Sequence, residues 1–210
     1  IWLKSFSDIT QEEMQKIAFQ LKGFVSEVGY ICPTAEEEYT LKFYSGNREV
    51  DFCGHATIAI MHELFKSDEK MAGVKKVNIV TNSGMLEVEN RIEEEKAVFI
   101  TAPSPVYQSS VPEIRKIAAG LNSNIEIIDT TLPAQIINTG LTTLIVPFIS
   151  LEAALGILPD IGELNKFCVR NSIDIVVIFT HDTANPENDF RVRVFAATFG
   201  YLEDPATGSG

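Results

Sequence analysis

Two runs of small and hydroxyl-bearing residues constrain this chain most. Asp51-Phe-Cys-Gly-His-Ala-Thr57 and Tyr201-Leu-Glu-Asp-Pro-Ala-Thr-Gly-Ser209 each follow a strand-like run and open a predicted helix. The first turn of a helix carries backbone N–H groups with no intrahelical partner, and its dipole favours negative charge. Each start is therefore a ready anion site. Two of them in one chain predict a cleft that holds a small carboxylate, with proton-moving groups alongside.

Bulk properties narrow the class. A chain of 210 residues can bury a sizeable core as one large or two small domains. A net charge of −12 with no basic stripe argues against nucleic-acid binding and leaves small-molecule chemistry open. The acidic runs Glu36-Glu37-Glu38 and Glu93-Glu94-Glu95 read as solvated turns. Cys32, Cys53 and Cys168 form neither a CxxC pair nor a zinc spacing, which fits a reducing compartment. With no signal-peptide pattern and no apolar run of spanning length, the chain reads as a cytoplasmic protein without a membrane partner.

The periodicities alternate between strand and helix. Thr10 and Glu13 have capping-box spacing, and Met14, Ile17, Ala18 and Leu21 follow at helical intervals. Phe24 to Cys32 reads as a strand ended by Pro33, and Tyr39 to Tyr44 as its successor. Ala56 to Phe65 is apolar nearly all round and predicts a buried helix. Strands are expected at Val77 to Thr81, Met85 to Val88 and Ala97 to Ile100, with a boundary at Pro103-Ser-Pro105. Beyond it come helices at Val111 to Leu121, Ser150 to Leu155 and Ile161 to Asn171. Strands are expected at Ala134 to Asn138, Thr143 to Pro147, Ile175 to Phe179 and Phe190 to Phe195. The pattern is α+β, with each half holding one Gly-containing turn that opens a helix.

Several residues can carry chemistry. His55 follows Gly54 at the predicted helix start, where it is either a proton carrier or a ring satisfied by local backbone. Gly54 lets a ligand approach the backbone closely. Asp204 is either an acid or base beside the Gly208 and Ser209 N–H groups, or an Asx turn before Pro205. Glu27 lies in an otherwise apolar strand, where a carboxylate either faces water or is desolvated. Desolvation would suit it to accept and return a proton near neutral pH. Cys53 at the helix start could be a racemase thiolate, but no second reactive thiol pairs with it, and Cys168 reads as structural. His62 lies two turns beyond His55 rather than at metal-binding spacing, and His181 falls in a polar loop.

These motifs resemble a known family. Phe52-Cys53-Gly54-His55-Ala56-Thr57 and Glu203-Asp204-Pro205-Ala206-Thr207-Gly208-Ser209 resemble the two signatures of the phenazine-biosynthesis PhzF-like isomerases, which have the diaminopimelate-epimerase-like fold. Ser26-Glu27-Val28-Gly29-Tyr30 resembles that family's Ser-Glu-Thr-x-Phe strand, with Val28 in place of Thr. Asn138-Thr139-Gly140-Leu141 resembles its second-domain Thr-Gly-Leu segment. Arg193-Val194-Phe195-Ala196-Ala197 resembles its Arg-x-Phe-Ala-Pro run, with Ala197 in place of Pro.

The resemblance implies two pseudo-symmetric domains, residues 1–104 and 105–210, each a curved mixed or antiparallel sheet wrapped around a central helix. It places the family's opening strand before Ile1 and the second central helix after Ser209. It further implies an interdomain site in which Glu27 shuttles a proton within a small carboxylic acid, with His55 and Asp204 beside it. The N–H groups of Gly54, Gly208 and Ser209 would hold the substrate carboxylate. No cofactor and no metal are expected, and the family tends to form homodimers. The competing expectations are a Cys53-dependent epimerase or racemase and a non-catalytic carboxylate-binding protein on the same fold.

Overall fold

The computed structural model describes residues 1–204 apart from Glu36 and Ala72, so Gly208 and Ser209 lie outside the described residues. The described residues divide into two compact units, one from Ile1 to Ser104 and one from Pro105 to Asp204. In the first, α1 (Gln11–Gln20) precedes β1 (Glu27–Ala35), β2 (Glu38–Ser45) and β3 (Glu49–Val50). Then come α2 (Gly54–Ser67), β4 (Lys76–Thr81), β5 (Gly84–Arg91), the single turn α3 (Ile92–Glu95) and β6 (Ala97–Ile100). In the second, β7 (Val106–Tyr107), α4 (Ile114–Gly120), β8 (Gln135–Asn138) and β9 (Thr142–Pro147) lead to α5 (Leu151–Gly156) and α6 (Ile161–Arg170). The strands β10 (Ile175–Thr180), β11 (Arg191–Phe195) and β12 (Glu203–Asp204) follow.

Local chemistry starts these elements. The capping box at α1 forms: the Glu13 N–H donates to Thr10 Oγ1 at 3.2 Å, and the Glu13 carboxylate accepts from the Thr10 N–H at 2.8 Å. Met14 and Ala18 then pack on Val28, Tyr30 and Tyr44 of the sheet. The strand predicted from Phe24 instead begins at Glu27, because Phe24 and Val25 both donate to the Leu21 carbonyl in a turn that leaves Phe24 87% exposed. Nor does Pro33 end the strand. β1 is the last strand of the hydrogen-bonded order and its register shifts between Pro33 and Ala35, positions where a residue without an N–H is tolerated.

Side chains alternate across β1. Val28 and Tyr30 face α1, which puts Glu27, Gly29 and Ile31 on the face toward α2. Strand order in the first sheet is β1-β2-β4-β5-β6, with β3 paired to β2. α2 touches β1, β5 and β6. A flat sheet would hold its outer strands roughly 19 Å apart, and a helix is only about 10 Å across. The sheet therefore curls around α2. That helix is not apolar-buried all round as its composition predicts. Thr57, Met61, Leu64 and Phe65 form one buried stripe, while Ile58 is 41% exposed.

The second sheet runs β12-β11-β10-β9-β8-β7, with β9 and β10 parallel across the α5–α6 crossover. Its core gathers Ile117, Leu121, Leu144, Val146, Leu164 and Phe195. The two units repeat one path. Trp2 bridges Ile31 of β1 in parallel, α1 crosses between them, and β1-β2-β3 form an antiparallel meander ending just before Cys53. In the second unit β9 lies parallel to β10, α5 and α6 cross between them, and β10-β11-β12 form the meander ending just before Pro205.

Gly29 is where α2 and β1 come closest: a Cβ there would collide with Ile60 Cδ1. Gly29→Ala is expected to destabilise the fold by about 1–3 kcal/mol in chemical denaturation. Combining it with Ile60→Val, which removes that methyl, recovers part of the loss; strictly additive effects would show that the two sites do not meet.

Candidate functional site

Three side chains converge where the head of β1 meets the start of α2. Glu27 is the first residue of β1, and its side chain is only 6% exposed although it is a carboxylate. Its Oε2 lies 3.0 Å from His55 Nε2. His55 is the second residue of α2 and half exposed. Cys53 Sγ sits 3.9 Å from Glu27 Oε2 and 3.7 Å from each ring nitrogen of His55. Cys53 is itself buried and pinned by its carbonyl, which accepts the Thr57 N–H at 3.0 Å and Thr57 Oγ1 at 2.7 Å.

Cys53 occupies the N-cap of α2 but makes no side-chain cap bond, and no acidic residue sits in the first turn. Cys53 therefore leaves the backbone N–H groups of the first turn, Gly54 and His55 among them, without a cap bond from its own side chain at the positive end of the helix dipole.

The neighbours set the charge of His55. The Cys53 sulfur first, and the Glu27 carboxylate second, raise its pKa from 6.5 to about 10 against the opposing cost of burial. The ring is an imidazolium at neutral pH rather than the group titrating near neutrality that an isolated histidine would be. The contrast is Cys168, where burial, with Asp174 adding to it, pushes the thiol up to about 12. That cysteine is structural, packed among Leu164, Phe167 and Ile173.

The structure brings Glu27, Gly54 and His55 together where β1 meets α2. It adds Cys53, whose partners sequence reasoning missed: they are not a second thiol but the imidazole two residues on and the strand carboxylate. Asp204 belongs to the second unit, in β12 opposite Val194. Its neighbour Glu203 is held by a bidentate ion pair to Arg193, with both bonds at 2.8 Å. Arg193 is only 11% exposed and also donates to the carbonyls of Ala154 and Ile157 at 2.8 Å each. His62 lies half-buried on α2, and His181 is exposed with its ring 4.6 Å from that of Phe190; neither joins the cluster.

A model of the PhzC-PhzF family, described as phenazine biosynthesis-like protein, matches residues 3–210. The chain belongs to this family. An uncharacterized isomerase of Bacillus subtilis, YfhB, is 32% identical over 205 residues, which cover 96% of this chain and 69% of that protein. The crystal structure of a PhzF-family phenazine biosynthesis protein from Bacillus anthracis matches with a TM-score of 0.76 at 21% identity, covering 99% of this chain and 69% of the other. A predicted epimerase from Pseudomonas aeruginosa matches with a TM-score of 0.74 at 15% identity, over 99% of this chain and 71% of its own. The architecture is the two-unit α+β fold of the diaminopimelate-epimerase-like proteins, and membership supports an isomerase- or epimerase-type function. Among the described residues no helix is long and apolar enough to cross a membrane.

The His55 environment is directly measurable. Its ring signals in an NMR titration should report a midpoint near 10 instead of 6.5. Cys53→Ala should lower it most and Glu27→Gln less; a wild-type midpoint near 6.5 would contradict the cluster. Because the folded value is raised, the stability advantage of wild type over His55→Gln is complete below pH 6.5 and is lost as pH rises toward about 10.

Proposed function

We propose that this chain is a cofactor-independent isomerase that moves a proton within a small carboxylic acid, with Glu27 as general acid and base. The observation that carries the reading is the Glu27 carboxylate itself: nearly dry, held at 3.0 Å by His55, and set against the uncapped start of α2. A single fixed carboxylate near two carbons of an allylic acid can take a proton from one and return it to the other on the same face. His55 holds one Glu27 oxygen in place, and its positive charge lies where negative charge develops as the C–H bond breaks. The Gly54 and His55 N–H groups bind the substrate carboxylate. In this reading Gly208 and Ser209 also contribute to substrate binding, and Asp204 to proton handling. A fold relative supports the substrate class: a hydroxyproline epimerase of Agrobacterium vitis, with a TM-score of 0.58, was solved with bound trans-4-OH-L-proline.

A second reading draws on the contacts of Cys53. Lying against both Glu27 and His55, its thiol could itself carry the proton, as in a cysteine-dependent epimerase.

Solvent-deuterium incorporation into a panel of small cyclic and allylic acids tests both. Glu27→Gln should lose at least ~100-fold of the exchange rate, the scale of general acid–base catalysis. Equal incorporation by wild type and Glu27→Gln would sink the role given to Glu27. Cys53→Ala should lose far less than Glu27→Gln; a comparable loss would favour the thiol. Carboxylate binding with no exchange into any acid would favour a binding protein.

A further inference from the structure

The cluster at the start of α2 offers one atom each of three metal-binding kinds. A Glu27 oxygen, the Cys53 sulfur and a His55 ring nitrogen all lie within 4.8 Å of one another. The individual separations are 3.0 Å between Oε2 and Nε2, 3.7 Å between Sγ and Nε2, and 3.9 Å between Sγ and Oε2. A tetrahedral zinc ion with bonds of about 2.0–2.3 Å sets its ligand atoms roughly 3.3–3.8 Å apart. The three edges bracket that range, so shifts of a few tenths of an ångström would close all three on one ion.

The donor set selects among metals. One thiolate, one imidazole and one carboxylate suit zinc and its close analogues, not magnesium or calcium, which require oxygen ligands. The framework is also firm. Cys53 is pinned through Thr57, and Glu27 is anchored at the head of β1 in register with Ser45. The half-exposed side of His55 gives an entry route and leaves a fourth position for water.

We propose that Glu27, Cys53 and His55 form a three-ligand site for a zinc-class cation, and that its occupancy switches off proton transfer. The inhibitory half rests on the reading of Glu27 as acid and base. As the metal binds, the Cys53 thiol proton and the His55 Nε2 proton leave to solvent while the Sγ–metal and Nε2–metal bonds form. The ion then holds the Glu27 oxygen that would accept the substrate proton.

Cobalt(II) serves as the spectroscopic probe. Titrating the chain should saturate at one equivalent, with tetrahedral visible bands and a near-ultraviolet sulfur-to-cobalt charge-transfer band that zinc displaces. Cys53→Ser should abolish the charge-transfer band, whereas Cys32→Ala and Cys168→Ala retain it. Glu27→Gln and His55→Ala should each weaken zinc binding at least about tenfold, since each removes one of three protein ligands. No charge-transfer band, or one that survives Cys53→Ser, overturns the site. Stoichiometric zinc should also suppress deuterium exchange, and a chelator should restore it; unchanged exchange at full occupancy overturns the inhibitory role. Full exchange activity in Glu27→Gln would overturn the acid–base reading alone, because the cobalt spectra report the ligands independently of catalysis.

Discussion

At Gly29 the β1 backbone carries no side chain, and Ile60 of α2 fills the space a Cβ would need. That close approach sets much else in the first unit. It lets the sheet curl far enough for one helix to touch both β1 and β6. It also draws the start of α2 against the head of β1, where Glu27 shares a face with Gly29. A buried carboxylate is expensive unless it is paired and hydrogen-bonded. His55 is the partner close packing delivers, at 3.0 Å. The charge state of the imidazole follows from the same packing, since a ring held between a sulfur and a carboxylate keeps its proton far above neutral pH.

Much of this was legible in the chain. The Thr10–Glu13 box and the apolar strand runs act through nearest neighbours, and the structure forms the box as read. What was hidden depended on registers set by distant partners. Glu27 could not be assigned to a wet or a dry face, because a shift of one residue in where β1 begins exchanges its two faces. The strand starts at Glu27 only because the Leu21 carbonyl captures the N–H groups of Phe24 and Val25. The spacing of the cysteines offers Cys53 no second thiol, while its actual partners include a carboxylate brought in by tertiary packing. The two-residue strands β7 and β12 were unreadable, since segments that short carry no period.

The repeated path of the two units makes their differences instructive. Glu27 stands at the head of β1, and Asp174 stands immediately before β10, its counterpart in the second meander. The Asp174 carboxylate accepts the Thr142 N–H at 2.8 Å and so ties the parallel pair β9–β10 at its edge. One acid serves the architecture of its sheet, while the other is turned toward a helix start. The meanders also end differently. β12 is fixed by the Arg193–Glu203 pair and by Arg193's bonds to the carbonyls at the end of α5, whereas Glu49, which opens β3, accepts from Asn82 at 3.2 Å.

The cap position of α2 has a thermodynamic meaning. Serine, threonine, aspartate or asparagine at an N-cap typically stabilises a helix by about 1 kcal/mol by satisfying a first-turn N–H. Cys53 stands in that position and makes no such bond. The helix around which the first sheet curls therefore lacks a cap bond from Cys53 at the end where Glu27 and His55 meet. If that start holds a substrate carboxylate, as proposed above, the ligand supplies what a side chain elsewhere provides. Under that proposal recognition and helix stability share one free energy, and a substitution that perfected the helix at Cys53 would compete with the ligand for the same N–H groups.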